Sequence, residues 1–152
     1  MLSAPSLFDL SAFAHRPLFD NTTYAWDALR NLKAYMNGLD YRDYRHNELI
    51  ADGVPLARTV ILFGDTLFAA GDAIIEYGDV TKGRLKISKD GQHLEGASII
   101  MAGAVLMGGA ISIGSGVLIE SGAMIKSPTV IGACSEVRQG AYIRGYCLAG
   151  SG

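Results

Sequence analysis

From Met101 onward an aliphatic residue recurs at every sixth position of the chain. This series consists of Met101, Met107, Ile113, Ile119, Ile125, Ile131, Val137, Ile143 and Ala149. A second series, of small or β-branched residues, consists of Val105, Ile111, Val117, Ala123, Thr129, Ser135, Ala141 and Cys147. This period fits neither a helix nor an alternating strand, whose periods are about 3.6 and about 2 residues. It is typical of a hexapeptide parallel β-helix, in which each hexad forms one short strand and one corner.

The pattern predicts a mainly β protein with three parts. Residues 101–152 form the regular β-helix, in which both series face inward and three hexads complete one turn. Residues 54–100 form an irregular β region that supplies the first turns and an inserted hairpin around Asp90-Gly91. Residues 1–53 form an N-terminal extension, and apolar residues at helical spacing predict an α-helical segment over Thr23–Asn37.

Composition and charge exclude several classes of protein. Of the 152 residues 49% are hydrophobic and 18% are charged, which excludes a disordered chain. The net charge of −2 gives no general attraction to nucleic acid or to acidic membranes, so we expect neither as a partner. The chain does not begin with a basic segment followed by an apolar run. We therefore expect a cytoplasmic protein in which Cys134 and Cys147 are free thiols.

Residues that are 18 positions apart share one face of the predicted β-helix, one turn apart. The second residue of each hexad faces outward, and Gly114, Gly132 and Gly150 form a smooth column there. A smooth face permits close packing of another subunit, so we predict a homotrimer. The alternative is that glycine at these positions only suits the backbone.

Residues 101–152 resemble the left-handed β-helix of many acyl- and acetyltransferases. The run from Ile131 to Gly145 is similar to the hexapeptide domain of sugar-1-phosphate nucleotidyltransferases, especially the N-acetylglucosamine-1-phosphate uridylyltransferase/glucosamine-1-phosphate acetyltransferase family. Its Arg-Pro-Gly-Ala segment is matched by Arg138-Gln139-Gly140-Ala141. The resemblance implies acetyl, acyl or nucleotidyl transfer on a sugar phosphate. It also implies acetyl-CoA or another acyl-CoA as the cofactor, and a sugar phosphate or nucleotide sugar as the small-molecule partner.

The resemblance does not extend to a complete active site. The family's acetyl-transfer histidine, sugar-contacting lysines and acetyl-CoA loop lie in later turns, beyond Gly152. Nothing in residues 1–40 resembles its Gly-rich nucleotide-binding loop. The hexads stop inside a repeat at Ala149–Gly152, which leaves an uncapped edge, and one interpretation is that the chain is a fragment of a longer protein. The alternative function is a non-catalytic trimeric assembly or partner-binding module.

Three cationic residues are candidates for binding the substrate phosphate. The resemblance assigns this role to Arg138, for which the alternative is an exposed ion pair with Glu120, one turn away. Lys126 and Arg144 also lie one turn apart. They either hold a phosphate between two cations or form a solvated pair of like charges.

The histidines leave the catalytic residue unknown. His15, His46 and His93 all lie outside the hexads, whereas acyl transfer needs a general base such as histidine near the acceptor. His93 is nearest to the hexads, and its position is typical of an ordinary surface histidine. A zinc site of three histidines on neighbouring turns is excluded, and we expect no metal. We interpret Cys134 and Cys147 as small packing residues. Without a catalytic residue in the hexads, the sequence leaves open whether the chain is an enzyme.

Overall fold

The computed structural model describes residues 2–151, and our predictions for Met1 and Gly152 lie outside these residues. The chain is mainly β, with 27% strand and 18% helix, and contains parallel sheets. It divides into two compact units after Asp40. The division of the chain at residues 53 and 100 stays a prediction. None of the helices within residues 2–151 is long and apolar enough to cross a membrane.

The unit that ends at Asp40 is helical. It contains α1 (Ala4–Leu7), 3-10 turns at Arg16–Phe19 and Ala25–Asp27, and α2 (Ala28–Asn37). The predicted helical segment is therefore a 3-10 turn that continues into α2. The N–H of Gly38 donates to the carbonyl of Ala34 at 3.2 Å and ends the helix.

The unit that begins at Tyr41 contains the strands. They are β1 (Val60–Phe63), β2 (Thr66–Ala69), β3 (Ile74–Glu76), β4 (Lys86–Lys89), β5 (Gln92–His93), β6 (Ser98–Ile100), β7 (Val105–Met107), β8 (Ile111–Ile113), β9 (Leu118–Ile119), β10 (Met124–Lys126), β11 (Thr129–Ile131), β12 (Glu136–Val137), β13 (Tyr142–Ile143) and β14 (Cys147–Ala149). Short 3-10 turns lie at Tyr44–His46 and Val80–Lys82. The predicted hairpin is confirmed, since β4 pairs antiparallel with β5 across Asp90-Gly91.

From β6 onward, strands that are one turn apart pair in parallel. Met124 in β10 lies opposite Val105 in β7 and opposite Tyr142 in β13. The chain thus returns to the same place after 19 (124 − 105) or 18 (142 − 124) residues. We call three consecutive strands a rung, so that the rungs are β6–β8, β9–β11 and β12–β14. Sheet 1 has the order β12-β9-β6-β1-β2, sheet 2 the order β13-β10-β7, and sheet 3 the order β14-β11-β8.

The first predicted inward series is wrong at its first two members, Met101 and Met107, and the second series is wrong at its first member, Val105. Ile100 is the residue that lies opposite Ile119 in sheet 1. Ile100 and Leu106 are 0% and 2% exposed and belong to the inner core, whereas Met101 and Met107 are only half-buried. The inward positions of the first two strands therefore lie one residue earlier than the hexad count predicts.

The difference arises from a step of seven residues instead of six between Leu106 and Ile113. The additional residue is taken up at the corner formed by Gly108 and Gly109. Gly108 has a φ of +87°, a conformation that glycine adopts without steric cost. Its N–H donates to a carboxylate oxygen of Asp52 at 2.6 Å, which holds the corner in place.

Sheet 1 is buried on both faces. Its inward residues, such as Ile100 and Ile119, join the apolar core inside the rungs. Its outward residues, such as Ile99 and Leu118, pack in a second core with Ile87 of β4. The antiparallel strands β3, β4 and β5, which we call the hairpin sheet, contribute to this second core and bring their loops close to the corners of the rungs.

Residues before β6 cover the open edge of the first rung. β1 pairs antiparallel with β6, and the N–H of Leu56 donates to the carbonyl of Ala104 at 2.9 Å. Tyr44 is buried in the inner core. Nearby, Asp43 accepts hydrogen bonds from the side chain and backbone of Arg45 at 2.6 and 3.0 Å. These bonds hold the pKa of the Asp43 carboxyl well below its usual range.

Close packing of neighbouring rungs within a single chain explains the glycine column. A Cβ added at Gly114 would lie 2.6 Å from the backbone nitrogen of Ala133 on the next rung. A Cβ added at Gly132 would overlap the carbonyl carbon of Gly150. The rungs therefore approach each other too closely for a side chain at these positions, whatever the number of subunits.

Candidate functional site

A cavity of about 340 Å³ lies where the hairpin sheet meets the corners of the rungs. The turn at Asp90-Gly91 has φ values of +51° and +76°, which reverse the chain so that Ser88 pairs with His93. This pairing brings β5 and the residues after it to the mouth of the cavity. Its volume falls within the range of small-molecule sites, about 300–1,000 Å³.

One wall of the cavity is a column of corner residues. The N–H of Gly116 donates to the carbonyl of Gly96, and the N–H of Cys134 donates to that of Ser115, both at 2.9 Å. Cys134 has a φ of +54°, where the two earlier rungs have glycines with φ values of +73° and +66°. A non-glycine residue rarely adopts this conformation. The column therefore places a free thiol at the wall of the cavity.

The cavity is also lined by an imidazole–carboxylate pair. The Nε2 atom of His93 lies 3.0 Å from Oε2 of Glu95, and their side chains are 46% and 91% exposed. An exposed pair of this kind contributes little to stability. When Nε2–H donates to Glu95, Nδ1 is an unprotonated base, and the carboxylate stabilises the ring once it takes a proton. This pair fits the role of a general base and the group that orients it.

Lys86 lines the same cavity and supplies a positive charge. Within residues 2–151 it forms no ion pair, whereas Lys89, on the same strand, lies 3.0 Å from Asp72. An ammonium group without a carboxylate partner is available to an anionic group of a ligand. The cavity therefore combines a base, a group that orients it and a cation.

His93 lies at the surface, with a side chain that is 46% exposed, and it also lines the cavity beside Glu95. Its role stays a prediction. The Asp-Gly turn predicted the hairpin, but no pattern predicted that the hairpin would lie against the corners. His15 and His46 lie elsewhere: Nδ1 of His15 is 3.0 Å from the hydroxyl of Tyr35, and His46 is 3.5 Å from Asp43.

Arg138 has a different partner from the one expected. Its guanidinium group lies 3.1 Å from Glu136 and is 78% exposed. Glu120, the expected partner, accepts a hydrogen bond from the N–H of Gln139 at 2.7 Å instead. Because both acceptors are glutamates beside one corner, the sequence did not distinguish them. Arg138 remains a phosphate candidate, since most of its side chain is open to solvent.

Lys126 and Arg144 lie on neighbouring rungs of sheet 2, as predicted. Ile125 pairs with Ile143, so the residues that follow them are adjacent. Arg138 follows β12 in sheet 1, and β13 separates it from Arg144 along the chain. The structure therefore places the phosphate candidates at two corners, and their role in binding stays a prediction.

No group of three or more metal-ligating side chains occurs in the part of the chain that the structure describes. No protein-family model matches the chain, and no match was found among curated proteins or solved structures.

Proposed function

We propose that the protein is a transferase of the hexapeptide-repeat class, with its rungs wound as a left-handed parallel β-helix in a homotrimer. In this proposal it acts in the cytoplasm and transfers an acyl group from an acyl-CoA to the amine or hydroxyl of a sugar phosphate. The parallel register of 18 or 19 residues supports the architecture, because it is the spacing of three hexads per turn. The observation that carries the chemistry is the His93–Glu95 pair at the cavity.

The proposed reaction uses the groups at the cavity wall. The phosphate of the acceptor binds Lys86, and its amine or hydroxyl lies beside Nδ1 of His93. As the acceptor attacks the thioester carbonyl, His93 takes its proton, and the imidazolium is stabilised by Glu95. The C–S bond of the donor then breaks, and His93 returns the proton to the thiolate of CoA. The reaction needs no further reactant.

The test uses acetyl-CoA with glucosamine-1-phosphate or a UDP-sugar, and product formation is followed by chromatography. His93→Gln should lower kcat by about 10²–10⁴-fold, the usual contribution of a general base. The matched control is His46→Gln, because His46 is also exposed and lies near an aspartate but is not at the cavity. Turnover that is equal in wild type and His93→Gln would refute the proposal.

Two cations compete for the acceptor phosphate in this scheme. The cavity favours Lys86, whereas the resemblance favours Arg138. Lys86→Gln should raise KM for the acceptor with little change in kcat, and Arg138→Gln should not. The reverse result would move the acceptor to the corner beside Glu136. A stable trimer without any turnover would instead support the non-catalytic assembly module.

A further inference from the structure

Among residues 2–151, the outward side chains of the strands of sheet 2 are cationic or apolar, and none of them is a carboxylate. The inward residues of its strands, Leu106, Ile125 and Ile143, pack in or against the inner core. Because successive side chains of a strand alternate between faces, their neighbours point outward. These neighbours form two columns. The first column is apolar and consists of Val105, Met124 and Tyr142. The second column consists of Met107, Lys126 and Arg144 and so ends in two cations.

The two cations are neighbours along the stacked rungs. Paired strands lie about 4.8 Å apart, so the backbones of Lys126 and Arg144 are separated by about that distance. Like charges on adjacent strands repel each other. Within residues 2–151 neither side chain forms an ion pair, whereas Arg138 is paired with Glu136. An anion bound between them would remove the repulsion.

An aromatic ring lies beside this pair. The Nζ atom of Lys126 is 5.4 Å from the centre of the Tyr142 ring, within the range of a cation–π contact. The Tyr142 side chain is nevertheless 57% exposed, which is unusual for a large aromatic group. A phosphate would compete with the ring for the ammonium group of Lys126. The ring would then be free to stack on a planar group attached to that phosphate.

We infer that Lys126, Arg144 and Tyr142 form a nucleotide-binding site. The phosphates bind between Lys126 and Arg144, and the base stacks on Tyr142. The site is separate from the hairpin cavity, and the inference does not rest on acyl transfer. In such a site the cations bind the diphosphate of a nucleoside diphosphate, and the aromatic ring stacks on its base. The site discriminates little between bases, because every base has a face that can stack.

Binding of ADP, UDP and inorganic pyrophosphate to the full chain is measured by calorimetry. The double variant Lys126→Gln/Arg144→Gln should weaken binding of all three about 10-fold or more, since it removes two charge-assisted contacts. Tyr142→Ala should weaken ADP and UDP by about 5- to 100-fold and leave pyrophosphate unchanged. Raising the salt concentration should weaken binding to the wild type.

The matched control is Lys82→Gln, which removes one exposed cation outside this surface, 3.0 Å from Asp79, and should leave all three affinities unchanged. Circular dichroism confirms that each variant is folded. Equal ADP affinity in the wild type and the double variant would overturn the site. Equal losses for ADP and pyrophosphate in Tyr142→Ala would overturn the stacking of the base. Binding measured in a transfer-inactive His93→Gln background distinguishes failure of this site from failure of the proposed catalysis.

Discussion

Replacing Gly114 by alanine should destabilise the protein, although alanine suits the backbone there. Gly114 does not have a positive φ, so the added methyl group causes no backbone strain of its own. The methyl carbon would lie 2.6 Å from the backbone nitrogen of Ala133 and 2.8 Å from the carbonyl carbon of Gly132. Both atoms belong to the next rung, whose backbone is held by hydrogen bonds on either side.

The expected magnitude follows from the overlap. Ordinary contact begins near 3.4 Å, so the two rungs must separate by about 0.8 Å (3.4 − 2.6) at this point. Overpacking of this kind costs about 1–3 kcal/mol. Alanine recovers about 0.4–1 kcal/mol by restricting the unfolded chain. A net loss of about 1–2 kcal/mol should lower the Tm by about 2–8 °C for a chain of this length.

The matched control is Gly109→Ala, and thermal unfolding is followed by circular dichroism. A Cβ at Gly109 would also meet its nearest atom at 2.6 Å, but that atom is the end of the Arg45 side chain. Arg45 is 44% exposed and can move, so the control should remain within about 0.5 kcal/mol of the wild type. Equal stability of Gly114→Ala and the wild type would refute the steric reasoning. If the loss of stability in Gly114→Ala disappeared at low protein concentration, packing between subunits would explain the glycine column instead.

Four further variants test the core, a buried hydrogen bond and a charged group. Leu106→Ala should cost about 2–5 kcal/mol in urea unfolding and Met107→Ala clearly less, and the opposite order would contradict the seven-residue step. Ser98→Ala should cost about 1–3 kcal/mol, because the buried N–H of Val117 loses its acceptor 2.9 Å away; an unchanged urea midpoint would argue against this bond. Asp43 has a lowered pKa in the folded state, so its contribution is present above the unfolded pKa of about 3.9 and is lost as the pH falls further. Asp43→Asn should therefore flatten the loss of stability below about pH 4, and an unchanged acid profile would contradict this.

The parallel strands were predictable where the chain alternates clearly between faces. From Ile111 onward the inward residues recur without interruption, and the pairing of Thr129 with Ile111 and Cys147 follows the hexad count. The first rung was not predictable to the residue. Sheet 1 is buried on both faces, so the adjacent residues Ile99 and Ile100 are both apolar and both buried. The hydrophobic pattern therefore does not show which of the two faces the inner core.

The candidate site depended on contacts that no local pattern records. The sequence showed the Asp-Gly turn before His93, but the cavity exists because the outward side chains of sheet 1 bind the hairpin sheet. The sequence also did not indicate that the free thiol of Cys134 lies at the cavity. The positive φ of Cys134 comes from its corner position, for which the sequence offers one signal, the glycine at position 116, 18 residues earlier.

The corner at Gly108 and Gly109 shows where this architecture tolerates a change in length. Inside a strand, one additional residue would turn every later side chain to the opposite face and expose the core. At the corner the same residue enlarges a bend, and the strands on either side keep their orientation. Corners are thus the places where such a protein can be lengthened into loops during evolution or by design. Its surface can change while its interior keeps the same arrangement.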